Sequence, residues 1–434
     1  MEIGIPWDKP VPEEQIPLVV EYCENDVETT EKVEEARAGD IVARQILAEL
    51  SGLPLNATTQ QHVGRIVFGQ DREPQRRFVY TDLSKLFPGY TYELGKSSYK
   101  GVEPGEGGFV YAEPGMYDNV AVLDVASMHP NSIRALNVFG PYTKNFTDLV
   151  DARVAIKHKD FDAARGMLNG KLAPYLGQEE DAEALSYALK IVINIVYGMT
   201  SARFDNLFRD PRNKDNIVAK RGALFMVDLL KAVQEKGFQV VHIKTDSIKI
   251  PNATDEIIQF VMDFGQKYGY TFEHETTYEK MCLVNDAVFI AKDGGKWKPT
   301  GAQFAHPYVL KTLFTHEPLE FDDFVEKKQT MSSMYIDFES DKPMVDYTGY
   351  ELTFIGKHGS FVPVTEGGGL LFREKDGKYY AVTGTKGYRW LPAESVRGTD
   401  AEKTIDMSYF NKLVDNAIDT INKFGDAEAF LDKE

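Results

Sequence analysis

The spacing of apolar and polar residues predicts a helical start, a mixed middle and a β-rich final third. Apolar positions recur at helical spacing over residues 14 to 52, and the glycines of GKSSYKGVEPGEGG (95–108) then predict loops. The nearly unbroken apolar run from Val120 to Val125 is typical of a strand buried on both faces. Beyond about residue 305 the pattern favours short strands and turns, clearest in TEGGGLLFREKDGKYYAVTGTKGYRW, before an amphipathic helix at about 407–424.

The middle of the chain is predicted to hold three helices and a hairpin. Helical patterns cover about 147–168 and 181–202, and the Gly and Pro residues of GKLAPYLGQEE between them predict a turn. These two segments should therefore form an antiparallel helical hairpin. A third helix near 215–236 leads into VVHIKTDSIKI (240–250), where β-branched residues flank the polar tetrad 244–247. That pattern predicts two short strands joined by a tight turn, with Asp246 at its tip.

Composition indicates a folded protein built from two or three subdomains. The chain has 434 residues, of which 43% are hydrophobic and 27% charged. No stretch approaches a membrane span, and the N-terminal MEIGIPWDKPVPEEQ lacks the basic region and apolar core of a signal peptide. The two cysteines, Cys23 and Cys282, have no metal-ligand spacing, so we expect a reducing cytoplasmic compartment.

Charge is distributed unevenly along the chain. The net charge of −18 argues against a general nucleic-acid coat protein. Between residues 190 and 250, however, eleven Lys and Arg residues stand against six Asp and Glu residues. This local excess indicates a bound anionic ligand, and chance clustering explains it equally well.

Two aspartates at predicted strand ends are the first candidates for chemistry. Asp124 follows the buried strand VAVL, and Asp246 lies in the hairpin turn. Taken singly, each is more often a turn residue, a helix cap or a member of a structural ion pair. If the strands share one sheet, the two carboxylates converge into a site for hard cations such as Mg²⁺, as in two-metal phosphoryl transfer.

The helices carry a second candidate set. In ALKIVINIVYGMTS, four residues fall on one helical face, within about 60° of one another: Lys190, Asn194, Tyr197 and Ser201. These residue types suit a phosphate, a base edge and base stacking, although an ordinary amphipathic helix shows the same spacing. Arg153 and Lys157 lie one turn apart in the preceding helix. Beside Lys190 they would suit a triphosphate, and a solvated basic face is the alternative.

The ordered set of motifs resembles family B DNA polymerases, of the type found in bacteriophages. DVASMHPNSI (124–133) resembles motif A (DxxSLYPSI), KIVINIVYG (190–198) resembles motif B (KxxxNSxYG), and HIKTDS (242–247) resembles motif C (YxDTDS). Gly107-Gly108 followed by YDNVAVLD resembles the glycine motif and strand that precede motif A. Arg153 and Lys157 match the basic pair of the first fingers helix. The similarity covers roughly residues 100 to 305.

The resemblance implies an α+β fold, the right-hand polymerase with palm, fingers and thumb. The implied divisions are an exonuclease-domain stub (1–40), a segment joining the palm (41–119), the palm (120–146 and 203–304), the fingers (147–202), and a thumb with C-terminal β/α structure (305–434).

The resemblance also implies site residues. Two Mg²⁺ ions would be held at Asp124, Val125 and Asp246, with both aspartates catalytic. The nucleotide would be bound by Ser127, Met128, His129, Arg153, Lys157, Lys190, Asn194 and Tyr197, and DNA by Gly107, Gly108 and Thr245. Separately, Lys386, Tyr388 and Arg389 form a basic-aromatic cluster suited to DNA, although a plain hairpin surface explains it as well.

Several positions depart from the family pattern. The first motif C aspartate is Lys244, the motif A tyrosine that blocks a ribose 2′-OH is His129, and the motif B serine is Ile195. The family's KxY lysine has no clear counterpart in NDAVFIA (285–291).

The N-terminal stretch YCEND resembles YxxxD, the last motif of the family's 3′→5′ exonuclease. Tyr22 and Asp26 carry it, and such a pair one helical turn apart is common by chance. The motifs with the other exonuclease carboxylates would lie upstream. We therefore expect no proofreading by this chain alone and a separate exonuclease polypeptide docking on residues 1 to about 40.

The expected function is template-directed addition of deoxynucleoside triphosphates to a primer 3′-OH, in phage DNA replication. Its partners would be primer-template DNA and deoxynucleoside triphosphates, in the cytoplasm of a bacterial host and without a membrane. Two alternatives remain open. One is a catalytically silent polymerase-like subunit that binds primer-template, and the other is an RNA-templated polymerase, which shares the two-aspartate palm.

Overall fold

The structure is a computed structural model that describes residues 10–339 and 352–431. Its α-helices are α1 Ile16–Ala36, α2 Ala38–Ser51, α3 Thr59–Phe68, α4 Met128–Leu136, α5 Thr143–Lys157, α6 Phe161–Arg165, α7 Glu179–Ser201, α8 Ile217–Glu235, α9 Asp255–Lys267, α10 Ala302–Ala305, α11 Pro307–Leu310, α12 Ala393–Val396, α13 Met407–Asn422 and α14 Ala427–Phe430. Its strands are β1 Thr91–Glu93, β2 Lys96–Ser98, β3 Val110–Ala112, β4 Gly115–Val125, β5 His242–Lys244, β6 Ser247–Pro251, β7 Phe272–Asn285, β8 Val288–Asp293, β9 Lys296–Thr300, β10 Glu326–Asp337, β11 Thr353–Val364, β12 Leu370–Lys375, β13 Lys378–Ala381 and β14 Arg389–Pro392. The mixed helix and sheet composition expected from the sequence is confirmed.

Two of the predicted helices are shorter than expected. The pattern over 14–52 forms two helices, because Arg37 leaves the helical conformation with φ −116° and ψ 22°. The helix predicted over 147–168 ends at Lys157. Lys159 adopts a left-handed φ of 61°, and Asp160 then caps the separate helix α6 by accepting a hydrogen bond from the Ala163 N–H.

The chain divides into two compact units. The first comprises 26–113 and 118–278, and the second comprises the described parts of 1–25, 114–117 and 279–434. In the first unit, neighbouring strands follow the order β3-β5-β6-β4-β7. One face of this sheet carries Ile243, Ile248 and Ile250, all fully buried in the core that includes residues of α4, α8 and α9. The opposite face is therefore the one that can present polar side chains.

A helical layer completes the first unit. Helix α7 packs against α2 and α5, in keeping with the predicted helical hairpin. By length and composition alone, α7 is apolar enough to cross a membrane, which corrects the expectation that no stretch approaches a span. Core helices share this property, and eight α7 residues are buried within the protein: Ala182, Leu185, Ala188, Leu189, Val192, Ile193, Val196 and Thr200.

The second unit is built on an antiparallel five-stranded sheet of order β13-β12-β10-β11-β14. Its core surrounds the fully buried Trp390 together with Phe361 and Phe410. Inside it, Glu326 accepts hydrogen bonds from His306 Nε2 (2.8 Å) and Lys328 Nζ (3.0 Å). This half-buried carboxylate joins the start of β10 to the helical segment before it.

Candidate active site

The β5–β6 hairpin carries Asp246 next to Asp124. Ser247 of β6 is the antiparallel partner of Asp124 near the end of β4. The Val125 N–H donates a hydrogen bond to the Asp246 carbonyl (2.9 Å), and the Asp246 N–H donates to the Lys244 carbonyl (2.8 Å). Both aspartates are half-buried. The prediction that the strands beside Asp124 and Asp246 share one sheet is confirmed, and joint metal binding by the two carboxylates stays a prediction.

The glycine-containing loop holds the hairpin turn in place. Thr245 has a left-handed φ of 58°, and its N–H donates to the Phe109 carbonyl (3.0 Å). A Cβ atom added to Gly108 would lie 3.1 Å from the Thr245 side chain, whereas one on Gly107 would meet no atom within 4 Å. A side chain at position 108 would therefore require the turn to shift by a few tenths of an ångström. The buried Lys220 Nζ fixes the same loop by donating to the Pro104 (2.9 Å) and Gly105 (2.7 Å) carbonyls.

The two aspartates lie in an environment that disfavours their negative charge. Burial and the neighbouring Asp246 raise the pKa of Asp124 to about 7. Burial also raises the pKa of Asp246, with Glu275 acting in the same direction. Glu273 adds to the effect on Asp124, and Lys249 opposes it. Carboxylates that repel one another in this way are stabilised by a bound cation.

The donor set fits Mg²⁺. In the part of the chain that the structure describes, no three His, Cys, Asp or Glu side chains are grouped closely enough to hold one metal ion. Mg²⁺ needs no such cage, because it is commonly bound by one or two carboxylates plus water and substrate phosphates. Asp124 and Asp246 supply that number. The Val125 side chain is buried, so only its backbone is open to the role predicted for it.

Motifs A and B meet through two stacked rings. His129 at the start of α4 lies 3.9 Å from Tyr197 of α7, centroid to centroid, with an interplanar angle of 8°. Burial lowers the pKa of His129 to about 4, so the ring is neutral at pH 7, and its Nδ1 has no hydrogen-bond partner among the described residues. The chain enters α4 through Ser127, whose φ is 58°. Met128 is buried against Gly222 of α8, leaving its backbone alone for nucleotide contact.

The predicted triphosphate residues lie on α5 and α7. Lys190 and Asn194 are exposed and Tyr197 is half-buried, while the opposite side of α7 is buried. On α5, Lys157 is exposed and Arg153 is half-buried, with an Nε that has no partner in the segments described. The convergence of these cations on a triphosphate stays a prediction.

A cavity of about 860 Å³ opens beside Tyr197 and the glycine loop. Its lining includes five basic residues and three acidic ones, namely Lys96, Arg203, Arg209, Lys214, Lys220, Glu103, Glu106 and Asp215. Asp124 and Asp246 are not part of the lining. Four of the eleven basic residues counted between 190 and 250 thus line this groove.

The predicted DNA-binding cluster at 386–389 and the exonuclease-like pair at 22 and 26 are distant in sequence from the residues described above. In the second unit, Arg389 donates to the Gly368 (2.7 Å) and Phe338 (3.2 Å) carbonyls, and Tyr388 packs edge-on against Tyr409, while Lys386 is exposed. Their role in DNA binding stays a prediction. The pair Tyr22 and Asp26 lies on α1, a helix of 21 residues with none buried.

Sequence reasoning missed four polar residues of this site. Glu273 and Glu275 occupy alternate positions of β7, and His242 and Lys249 face each other across β5 and β6. Alternate residues of a strand share a face, so the polar pair in FEHE was a usable signal. Nothing local to Lys249 predicts its burial.

The chain is similar in sequence to DNA polymerases. No protein-family profile matches it. It is 23% identical over 304 residues to DNA polymerase 2 of Aeropyrum pernix, covering 64% of this chain and 35% of that protein. It is 29% identical over 156 residues to DNA polymerase II of Escherichia coli, covering 32% of this chain and 19% of that protein. The expected similarity to DNA polymerases is confirmed, and this chain spans about a third of one relative and a fifth of the other.

Among solved structures, the family B DNA polymerase of the hyperthermophilic archaeon Pyrobaculum calidifontis is similar with a TM-score of 0.47 and 16% identity. The match covers 94% of this chain and 57% of that one.

Proposed function

We propose that this chain is a phage-type family B DNA polymerase that adds deoxynucleotides to a primer 3′-OH during phage DNA replication in a host cytoplasm. The observation that carries the proposal is the pairing of β4 with β6, which brings Asp124 and Asp246 together. The stacked rings of His129 and Tyr197 join motif A to motif B in the same unit. The sequence relatives are themselves named DNA polymerases.

Asp124 and Asp246, with the Val125 backbone, would hold two Mg²⁺ ions. When bound, the ions supply Lewis-acid chemistry at the primer 3′-OH and at the leaving pyrophosphate. The fixed turn around Thr245 keeps the Asp246 backbone in place. Because the carboxylates repel each other without a cation, their arrangement favours the metal-loaded state.

The remaining site residues would bind the two substrates. Lys190, Arg153 and Lys157 would neutralise the triphosphate, while Asn194 and Tyr197, with the backbone at 127–129, would line the nascent base pair. The basic groove, which Gly107 lines, would take the DNA backbone, and Gly108 and Thr245 would contact the DNA next to it. Lys386, Tyr388 and Arg389 would contact DNA elsewhere.

The division into palm, fingers and thumb is proposed on the same basis. The sheet strands β4, β5 and β6, with the helices that cover one face, correspond to the palm, at 120–146 and 203–304. The packed helices α5 and α7 correspond to the fingers, at 147–202. The five-stranded sheet and helix α13 correspond to the thumb region, at 305–434.

Proofreading would come from a separate exonuclease polypeptide that docks on the N-terminal segment. The support is α1, whose 21 residues are all exposed or half-buried and which carries the motif-like pair Tyr22 and Asp26. An unburied helix of this length gains little stability from the rest of the chain.

Primer extension tests the proposal. Wild-type protein with Mg²⁺ and all four deoxynucleotides should extend a primer on a DNA template and not on an RNA template. Asp246→Ala should abolish extension, because it removes a metal ligand, and Lys244→Ala should reduce it less, because lysine cannot ligate Mg²⁺. Extension by folded Asp246→Ala would refute the assignment. Template binding without extension by the wild type would establish a silent subunit instead.

A further inference from the structure

A buried ammonium group lies on the sheet face that carries the candidate metal ligand Asp124. Lys249 of β6 is 5% exposed. It is two residues beyond Ser247, the antiparallel partner of Asp124, so it shares a face with Ser247 and is a diagonal neighbour of Asp124. A lysine this deeply buried is rare unless its charge is balanced nearby.

His242 orients this lysine. The two residues are directly opposed across β5 and β6, and His242 is 1% exposed. Lys249 Nζ lies 3.1 Å from His242 Nδ1. An ammonium group can only donate, so Nδ1 accepts and the imidazole is neutral with its proton on Nε2. The pair therefore holds one positive charge inside the unit.

The charges around Lys249 come from the two strands that flank β6, from the hairpin turn and from β7 beyond β4. Asp124 on β4, Asp246 in the turn and Glu275 on β7 stabilise its positive charge, while Lys244 on β5 opposes it. Burial lowers the pKa of Lys249 to about 8, which leaves it largely protonated at neutral pH. In return, Lys249 stabilises the ionised forms of Asp124 and Asp246.

We propose that Lys249, oriented by His242, is an internal counter-cation that sets the Mg²⁺ concentration at which the site fills. It offsets repulsion among the carboxylates before metal binds, and it repels the incoming ion. A divalent ion feels that repulsion twice as strongly as a single charge would, so removing the Lys249 charge should tighten metal binding. The proposal rests on the proposed function in one respect, that Asp124 and Asp246 are the metal ligands.

The test is metal binding without DNA or nucleotide. Mg²⁺ and Ca²⁺ are titrated by calorimetry into wild type, Lys249→Met, Lys249→Gln and Lys249→Arg at neutral pH. We expect the Met and Gln variants to bind metal roughly threefold to tenfold more tightly, and Arg to bind like wild type. Lys267→Met removes an exposed lysine of α9 and is the matched control, expected to bind like wild type. The Lys249→Gln variant retains a hydrogen-bond donor for His242. It therefore tests the effect of the Lys249 charge on metal affinity even if Lys249→Met does not fold.

The outcomes separate the two proposals. Wild-type affinity in folded Lys249→Gln would overturn the counter-cation role and leave the metal site standing. No metal binding by wild type, or binding that survives in Asp124→Asn, would overturn the metal site itself and with it both proposals.

Discussion

Asp124→Asn is predicted to make the metal-free protein more stable and, at the same time, inactive in primer extension. The pKa of Asp124 in the folded protein is about 7, against about 3.9 for an unfolded aspartate. At about 1.4 kcal/mol per unit this difference is worth about 4 kcal/mol of destabilisation when the group is ionised. Asp124 is half-buried and its charge is coupled to that of Asp246, so we expect a gain of roughly 2 kcal/mol from the amide.

The stability gained by the Asp124→Asn variant should increase as pH rises. A carboxyl group whose pKa is raised by folding destabilises the folded state fully above its folded pKa of about 7. The penalty shrinks as pH falls from that value toward the unfolded pKa of about 4, where both states are protonated. The amide side chain of the variant cannot ionise. The advantage of the variant should therefore be largest above pH 7 and should disappear in acid.

The assay is thermal unfolding of wild type and variant in a chelator across this pH range. A gain of about 2 kcal/mol corresponds to a rise in melting temperature of roughly 4–8 °C for a unit of this size. Asp118→Asn changes an exposed aspartate of the same strand and should leave the midpoint unchanged. Adding Mg²⁺ should narrow or reverse the difference, because metal binding stabilises wild type alone. The reasoning would be refuted if the variant were less stable than wild type in chelator, or if its gain in melting temperature were the same at every pH.

Three further outcomes are expected. Lys190→Ala should raise the KM for nucleotide far more than the Kd for primer-template, because this exposed cation faces away from the core. Equal losses of affinity for nucleotide and for primer-template would mean that Lys190 contacts DNA instead. A labelled primer with a 3′ mismatch, incubated with Mg²⁺ and no nucleotides, should stay intact; shortening that is lost in Asp26→Ala and retained in Asp246→Ala would show a working exonuclease site. Glu326→Gln should destabilise the second unit by roughly 2–3 kcal/mol in urea unfolding, because it removes the charge that strengthens the hydrogen bonds from His306 Nε2 and Lys328 Nζ. An unchanged midpoint would contradict this.

Local pattern predicted the elements that carry the aspartates. The apolar run before Asp124 and the β-branched residues around Asp246 specify strands whatever the rest of the chain does. Helix α8 was predicted within two residues at each end for the same reason. The motif resemblance placed His129 and Tyr197 in one nucleotide-binding set, but their direct stacking was not predicted, since no local rule links residues so far apart in sequence.

What local pattern missed depends on tertiary neighbours. Lys249 is an ordinary polar strand residue by sequence, and its burial arises only when β5 and β4 flank it on either side. The early end of α5 depends on the left-handed Lys159, a conformation that residue type does not predict. The charge of Glu275 raises the pKa of the two aspartates only because β7 lies next to β4 in the sheet.

The contact between Gly108 and Thr245 has a consequence for how this site can evolve. Motif comparison treats Gly107 and Gly108 as equivalent, yet the first has open space around its Cα and the second has the hairpin turn 3.1 Å from any added methyl group. A saturation library across the pair should accept many residues at 107 and few at 108. Substitutions that alter nucleic-acid binding can therefore accumulate at residue 107, one position away from a residue that tolerates few changes.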